Sequence, residues 1–444
     1  MLSLRRAGWV AALVGVLAGG APAARADLAG YLKKPEPEFS WKLVKSRDGA
    51  AGRLYTLELV SQVWHDIPWK HTLWVAVPKQ VRPRETLFLW NQGGRPGPTS
   101  AVMAFDLAGK MGAPVAFLFN IPNQPLLGGK KEDALIAETF VRYLQTKDDT
   151  WPLLFPMVKS LVKAMDALQA FARAEWKTPV KSFVVAGASK RGWTAWLTGA
   201  SDPRVKAIAP LVIDTLNMQK QLPYQLKSYG AFSAMIHDYT ARKLAPPPQT
   251  PEGRKLWSLV DPWAYRDRLT LPKLILNGTN DPYWTQDALN LYWDDLRGPK
   301  WVEYIPNAGH GLAQKGEDGG ESLTRASNTL AAFGRAYVLD KPLPKLAWKH
   351  TRVGGKHRLR VASEPPAKAV RLWHADAPTR DFRKAVWSAA VVKQNKGVAT
   401  GEIADPAGGC RVFYMECEYD QDGLVYHLST QVRIVGEAKG GQKK

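Results

Sequence analysis

The stretch Lys181–Gly192, K-S-F-V-V-A-G-A-S-K-R-G, decides how this chain is read. It opens as a short β-rich run, Ser182–Ala186. It turns through Gly187-Ala188-Ser189 and continues with helical texture from Lys190 to about Thr198. A buried strand, a tight turn with one serine at its apex and then a helix make a nucleophile elbow. The serine of such a turn sits in a strained backbone conformation with its hydroxyl exposed, so its neighbours must be small. Gly187 and Ala188 meet that need. The usual pattern is G-x-S-x-G; here Arg191 takes the last position and glycine follows one residue later, at Gly192. A serine in a Gly/Ala-rich turn can also be purely structural, so the elbow needs partners elsewhere in the chain.

Two later stretches supply them. Lys273–Leu276 reads as a buried strand ending in N-G-T-N-D-P, and Trp301–Ile305 as the next, ending in P-N-A-G-H-G. Serine, then aspartate, then histidine, each just past a strand end, is the chain order of an α/β-hydrolase triad. The predicted catalytic residues are therefore Ser189, Asp281 and His310. Asp214, at the end of the predicted strand Val205–Ile213, is the alternative acid. The predicted oxyanion donors are the Lys190 N–H and, from the Gly-rich loop after Thr86–Asn91, Gln92 or Gly93. Trp90, Tyr283 and Trp284 flank these segments and offer flat faces for an acyl chain or a sugar ring. Trp193, on the elbow helix, is expected to pack the core. The Lys190 side chain is expected either to face solvent or to place a cation at the oxyanion or at an acidic substrate group.

The rest of the chain fits the same fold. Gly52–Trp64 and Lys70–Pro78 alternate as paired strands around a turn at 65–68. Pro114–Phe119 is a further strand, and Glu132–Leu144 and Pro156–Trp176 have helical spacing. From about 219 to 269 the alternation stops, and this aromatic, proline-bearing segment is predicted to be a cap-like insertion. Ser322–Leu339 is a last helix. Lys341–Pro344 reads as a linker. Residues 345–436 then form short alternating runs, a small all-β sandwich by pattern. The expected organisation is a signal peptide at 1–26, an α/β-hydrolase domain at 27–344, the β domain at 345–436 and a tail at 437–444.

The signal reading rests on Arg5-Arg6, the apolar Ala7–Gly20 and the small-residue site Ala24-Arg25-Ala26. It predicts export to the periplasm or the medium, with no membrane span in the mature chain. The 444 residues carry 61 basic and 40 acidic side chains, a formal charge of +21. The 341–444 segment alone has 19 basic and 10 acidic residues. Such an excess draws a protein to anionic surfaces. No nucleic-acid motif accompanies it, so the expected partner is an anionic envelope surface and not a nucleic acid. Cys410 and Cys417 lie an odd number of residues apart in one β run, which puts them on opposite faces, too far apart for a disulfide. Nothing in the pattern calls for a metal or a cofactor.

With G-A-S-K-R-G-W, N-G-T-N-D-P-Y-W, N-A-G-H-G and the C-terminal β run in view, the chain resembles the PhoPQ-activated pathogenicity-related protein family over roughly residues 30–435. The resemblance implies an α/β-hydrolase fold, the same three triad residues and a link to the bacterial envelope, without naming a substrate. The elbow is also similar to that of glucuronoyl and acetylxylan esterases, whose pattern puts arginine where Lys190 stands. The expected activity is hydrolysis of a carboxylic ester of a small molecule, glycan or lipid. A serine peptidase on the same fold is the alternative, as is a non-catalytic envelope protein that binds anionic glycan or lipid.

Overall fold

The computed structural model describes residues 27–79, 81–316 and 319–437. The predicted signal peptide and residues 438–444 of the predicted tail lie outside the described residues. Glu437 closes the last strand.

The chain begins with helix α1 (Leu28–Lys33) and three antiparallel strands, β1 (Ser40–Asp48), β2 (Gly52–Trp64) and β3 (Ile67–Pro78). The turn between β2 and β3 is two residues, His65 and Asp66, both at positive φ. Such a turn matches the twist of the flanking strands, so Ile67 and Pro68, read as turn from the sequence, belong to β3. The alternating hydrophobic unit is completed by β4 (Thr86–Asn91), α2 (Pro98–Met111), β5 (Val115–Leu118), α3 (Glu132–Thr146), α4 (Leu154–Phe171), β6 (Ser182–Ala188), α5 (Lys190–Gly199) and β7 (Val205–Leu211). Then come three helices, α6 (Met218–Tyr229), α7 (His237–Thr240) and α8 (Pro251–Val260), in the segment expected to form a cap. Strands β8 (Lys273–Gly278) and β9 (Lys300–Ile305), the paired two-residue strands β10 (Gln314–Lys315) and β11 (Glu321–Ser322), and helix α9 (Thr324–Val338) follow.

Strands β5, β4, β6, β7, β8 and β9 lie side by side and parallel. Most of their residues are buried, on both faces, as a parallel sheet covered by helices requires. One core packs α4 and α5 on one face, and the other packs α2 and α9 on the opposite face. This is the α/β-hydrolase architecture. It brings the C-terminal ends of β6, β8 and β9 to one edge, where Ser189, Asp281 and His310 follow them.

The C-terminal strands form two sheets. β12 (Lys345–Val353), β13 (Lys356–Glu364), β16 (Gln394–Asn395) and β17 (Val398–Ala404) make a four-stranded sheet. β14 (Ala369–Ala377), β15 (Ser388–Val391), β18 (Gly409–Gln421), β19 (Leu424–Ser429) and β20 (Arg433–Glu437) belong to the other. Leu359, Val361 and Ile403 share a buried core with Leu372 and Met415, so the two sheets face each other. The second sheet is continuous with the central one. β19 pairs with β9 through Ser429 and Val302, giving a 14-stranded sheet. The reason is the edge of β9: an uncovered row of backbone donors and acceptors is a liability, and a neighbouring strand removes it. Cys410 and Cys417 are free and buried, both on β18.

Candidate active site

Ser189 stands between β6 and α5 with φ 56° and ψ −126°. Positive φ is costly for any residue with a Cβ and persists only where the surroundings enforce it. The Ser189 N–H donates to the Leu211 carbonyl at 2.8 Å, and the Trp193 N–H to the Ser189 carbonyl at 3.0 Å. The displaced glycine of the motif has a steric explanation. A Cβ on Gly192 would fall 2.6 Å from Ile213 Cγ2 and 2.9 Å from the Gly187 carbonyl oxygen. A Cβ on Gly187 would fall 2.8 Å from the Arg191 carbonyl. The strand and helix thus cross at Gly187 and Gly192, and Arg191 points its side chain away from the crossing.

His310 Nδ1 lies 2.8 Å from Asp281 Oδ2, and the other carboxylate oxygen accepts the Tyr283 N–H at 2.8 Å. The Tyr283 ring sits 4.3 Å from the imidazole. Asp214 takes a different place. It is buried, receiving bonds from the Tyr292 hydroxyl and from Asn277 Nδ2 at 2.9 Å. Burial, reinforced by the charge of Asp281, pushes its carboxyl up to about 7, against the pull of those two bonds. The geometry pairs Asp281, not Asp214, with His310.

Ser189, Lys190 and His310 open on one pocket of about 500 Å³, counting its mouth. Its walls are mostly apolar: Trp193 from α5, Ile213, Tyr283 and Trp284 from the loops after β7 and β8, and Met218, Leu222, Ile236, Tyr239 and Trp257 from the segment between β7 and β8. The Ser189 hydroxyl has no hydrogen-bond partner among the described residues. Nucleophile–base bonds are often long before substrate binds.

A model of the PhoPQ-activated pathogenicity-related protein family matches residues 28–383. The chain belongs to this family. It is also 30% identical over 429 residues to autocrine proliferation repressor protein A of Dictyostelium discoideum, covering 88% of this chain and 85% of that one. Among solved structures it is similar to an acetyl xylan esterase from Paenibacillus sp. R4, with TM-score 0.48, 15% identity, and 70% of this chain and 92% of that one covered. It is likewise similar to acetyl xylan esterase 1 from Thermoanaerobacterium sp. JW/SL YS485, with TM-score 0.46, 16% identity, and 64% and 86% covered.

In this member of the PhoPQ-related family the two cations after the serine are both spent on α3. Lys190 Nζ lies 2.8 Å from Asp133 Oδ2 and 3.4 Å from Glu132. Arg191 grips both Glu132 oxygens, at 2.6 and 2.7 Å, and donates from Nε to the Ile121 carbonyl at 2.6 Å. Tyr239 donates to the second Asp133 oxygen at 3.0 Å, tying the segment between β7 and β8 into the same network. Lys190 is buried and neutralised here, neither turned to solvent nor left as a bare cation. Burial alone would raise the Glu132 carboxyl, but the Arg191 guanidinium, Gln124 and Lys190 hold it down at about 2.

Other expected positions lie elsewhere. The Gln92 N–H donates to the Leu118 carbonyl at 2.8 Å as part of the sheet edge, so it is not free to hold an oxyanion. Gly93 is not among the pocket-lining residues; a Cβ there would fall 2.0 Å from Arg191 Nη2, so the glycine makes room for the guanidinium. Lys190, whose N–H lies in the first turn of α5 where no intrahelical partner exists, is among the residues that line the pocket. Trp90 lines a separate apolar groove between α2 and α9 that also reaches His310. Its indole N–H donates to Gln92 Oε1 at 2.8 Å. Trp193 packs as expected, bonded to the Val260 carbonyl at 2.6 Å and stacked near Trp257, while one face still touches the pocket. Asp133 and Trp257 were not singled out by the sequence; the acidic pair opening α3 and the aromatic content of 219–269 are the signals that point to them. Among the described residues no cluster of His, Cys, Asp or Glu is arranged to hold a metal, and no helix is long and apolar enough to cross a membrane.

Proposed function

We propose that this protein is an exported serine hydrolase that cleaves carboxylic esters, with Ser189 as nucleophile, His310 as general base and acid, and Asp281 orienting the imidazole. One observation carries the reading: the positive-φ elbow serine and the Asp281-bonded His310 line the same apolar pocket. The hydroxyl of Ser189 attacks the ester carbonyl as His310 Nε2 takes its proton. Asp281, bonded at Nδ1, fixes the tautomer and stabilises the imidazolium. The Lys190 N–H supports the oxyanion at the helix N-terminus, where such a donor contributes roughly 10²–10³ in rate. His310 then protonates the departing alkoxide, and water repeats the sequence to release the acid. The apolar walls and the neutralised Lys190 favour an uncharged ester over a charged one.

Reaction with a fluorophosphonate probe tests this. Wild type is expected to be labelled at Ser189, with Ser189→Ala unlabelled and His310→Ala slowed by more than about 10³. A folded wild-type protein that takes no label rules the reading out.

A further inference from the structure

We propose that the segment 378–387, between β14 and β15, is a strap that sets the position of the acid and base loops, with Asn280 and Asn307 as positioning residues. This inference rests on the triad reading above and extends it: the C-terminal strands become part of the working site.

The two loops are first tied to each other. The Asn307 N–H donates to Thr279 Oγ1 at 2.8 Å, Thr279 Oγ1 donates to Asn280 Oδ1 at 2.8 Å, and the Asn280 N–H donates to the Ala308 carbonyl at 2.9 Å. A Cβ on Gly278 would fall 2.4 Å from that same Ala308 oxygen, so the loops touch backbone to backbone. Both asparagine side chains then turn outward to the same segment. Asn280 Nδ2 donates to the Ala385 carbonyl at 2.7 Å, with the Phe382 and Arg383 carbonyls at 3.4 and 3.3 Å. Asn307 exchanges a pair of bonds with Trp387: Trp387 N–H to Oδ1 at 2.8 Å and Nδ2 to the Trp387 carbonyl at 3.0 Å. Phe382 and Trp387 are buried, which anchors the strap from its own side. A third tie joins Arg380 to Asp287 at 2.8 Å, on the loop that continues from Asp281.

Asn280 is the residue before Asp281, and Asn307 lies one turn of loop before His310. The bond between His310 and Asp281 fixes the pair internally but leaves open where the pair sits relative to Ser189. The strap supplies that constraint from outside the hydrolase strands. Misplacement of a catalytic group by about 1 Å costs on the order of 100-fold in rate, so loss of either amide is expected to lower turnover far more than substrate binding.

The test uses the mature protein and its variants Asn280→Ala, Asn280→Asp and Asn307→Gly. The glycine tolerates the φ of 57° at position 307. Asn280→Asp keeps the shape but sets a carboxylate against three carbonyls. The control is Met415→Ala, which removes buried volume from β18 without touching the strap. Each variant is scored for the rate of fluorophosphonate inactivation, for kcat and KM on a p-nitrophenyl ester, and for Tm. The strap variants are expected to lose about 10- to 100-fold in kcat and inactivation rate, with KM within about threefold, while Met415→Ala loses at least as much Tm and keeps its rates within about twofold. If the strap variants keep wild-type rates, or if rate follows Tm alike in both sets, the strap is only structural and the proposal fails. If the wild type itself takes no label, the triad reading fails and this inference with it.

Discussion

Ser189 takes its turn from residues close to it in sequence and leans on the next strand through Leu211, whereas the loops bearing Asp281 and His310 are tied to a segment some seventy to a hundred residues further on. The serine owes its position to a strand, a turn and a helix spanning Ser182–Gly199, with Gly187 and Gly192 allowing the crossing. The loops of Asp281 and His310 are tied through Asn280 and Asn307, whose side chains end on residues 382–387. The first arrangement is backbone geometry and survives most changes elsewhere. The second is a set of side-chain bonds between distant segments, so it can be lost without unfolding the hydrolase strands. A nucleophile can be built locally, but its alignment with a base is a tertiary property.

The largest effect expected on this comparison comes from the acid. Asp281→Asn should lower kcat/KM by about 10⁴, because the amide favours the wrong imidazole tautomer, whereas Asp214→Asn should cost less than about tenfold. Steady-state kinetics on one ester decides between them, and a larger loss from Asp214→Asn would overturn the assignment of the acid. On the local side, Gly192→Ala is expected to destabilise the fold by about 1–3 kcal/mol, since its methyl meets Ile213 and the Gly187 carbonyl. Denaturant titration together with labelling would show both losses; a neutral substitution would mean that the elbow is looser than its geometry. The smallest effect belongs to the brace behind the elbow. Glu132 is held at about 2, below its ordinary value, so its contribution to stability is fully present above about pH 4.5 and is lost as pH falls toward 2. Glu132 is half exposed and screened by solvent. Glu132→Gln should therefore lower Tm by a few degrees at neutral pH, with the gap narrowing on acidification. A gap independent of pH would show that the ionised pair is not its source.

Several features were legible because they are periodic or local. The buried runs read at 86–91, 182–186, 273–276 and 301–305 fall within strands at 86–91, 182–188, 273–278 and 300–305. The order of Ser189, Asp281 and His310 at strand ends follows from the same runs. The loop after β4 is misleading in sequence because Gln92-Gly93-Gly94 has the composition of an oxyanion loop. Composition does not reveal that the Gln92 N–H completes a ladder with Leu118, or that Gly93 clears a path for Arg191. The sequence allows the Lys190 side chain either solvent or substrate, because its partner Asp133 lies on a helix more than fifty residues earlier.

By itself the amino-acid sequence determined the kind of sheet, the site of the serine turn, the β character of the last hundred residues and the candidate triad. Each of these is carried by hydrophobic period, by small residues at a turn or by the residue just past a strand end, and none depends on what lies across the molecule. Only the tertiary structure decided which carboxylate meets His310, that the cations after Ser189 are spent on Glu132 and Asp133, and that the C-terminal strands continue the central sheet and reach back to the acid and base loops. Those outcomes are contacts between residues distant in sequence. They are selected by burial and by the need of every enclosed polar group for a partner, and no local pattern records the choice.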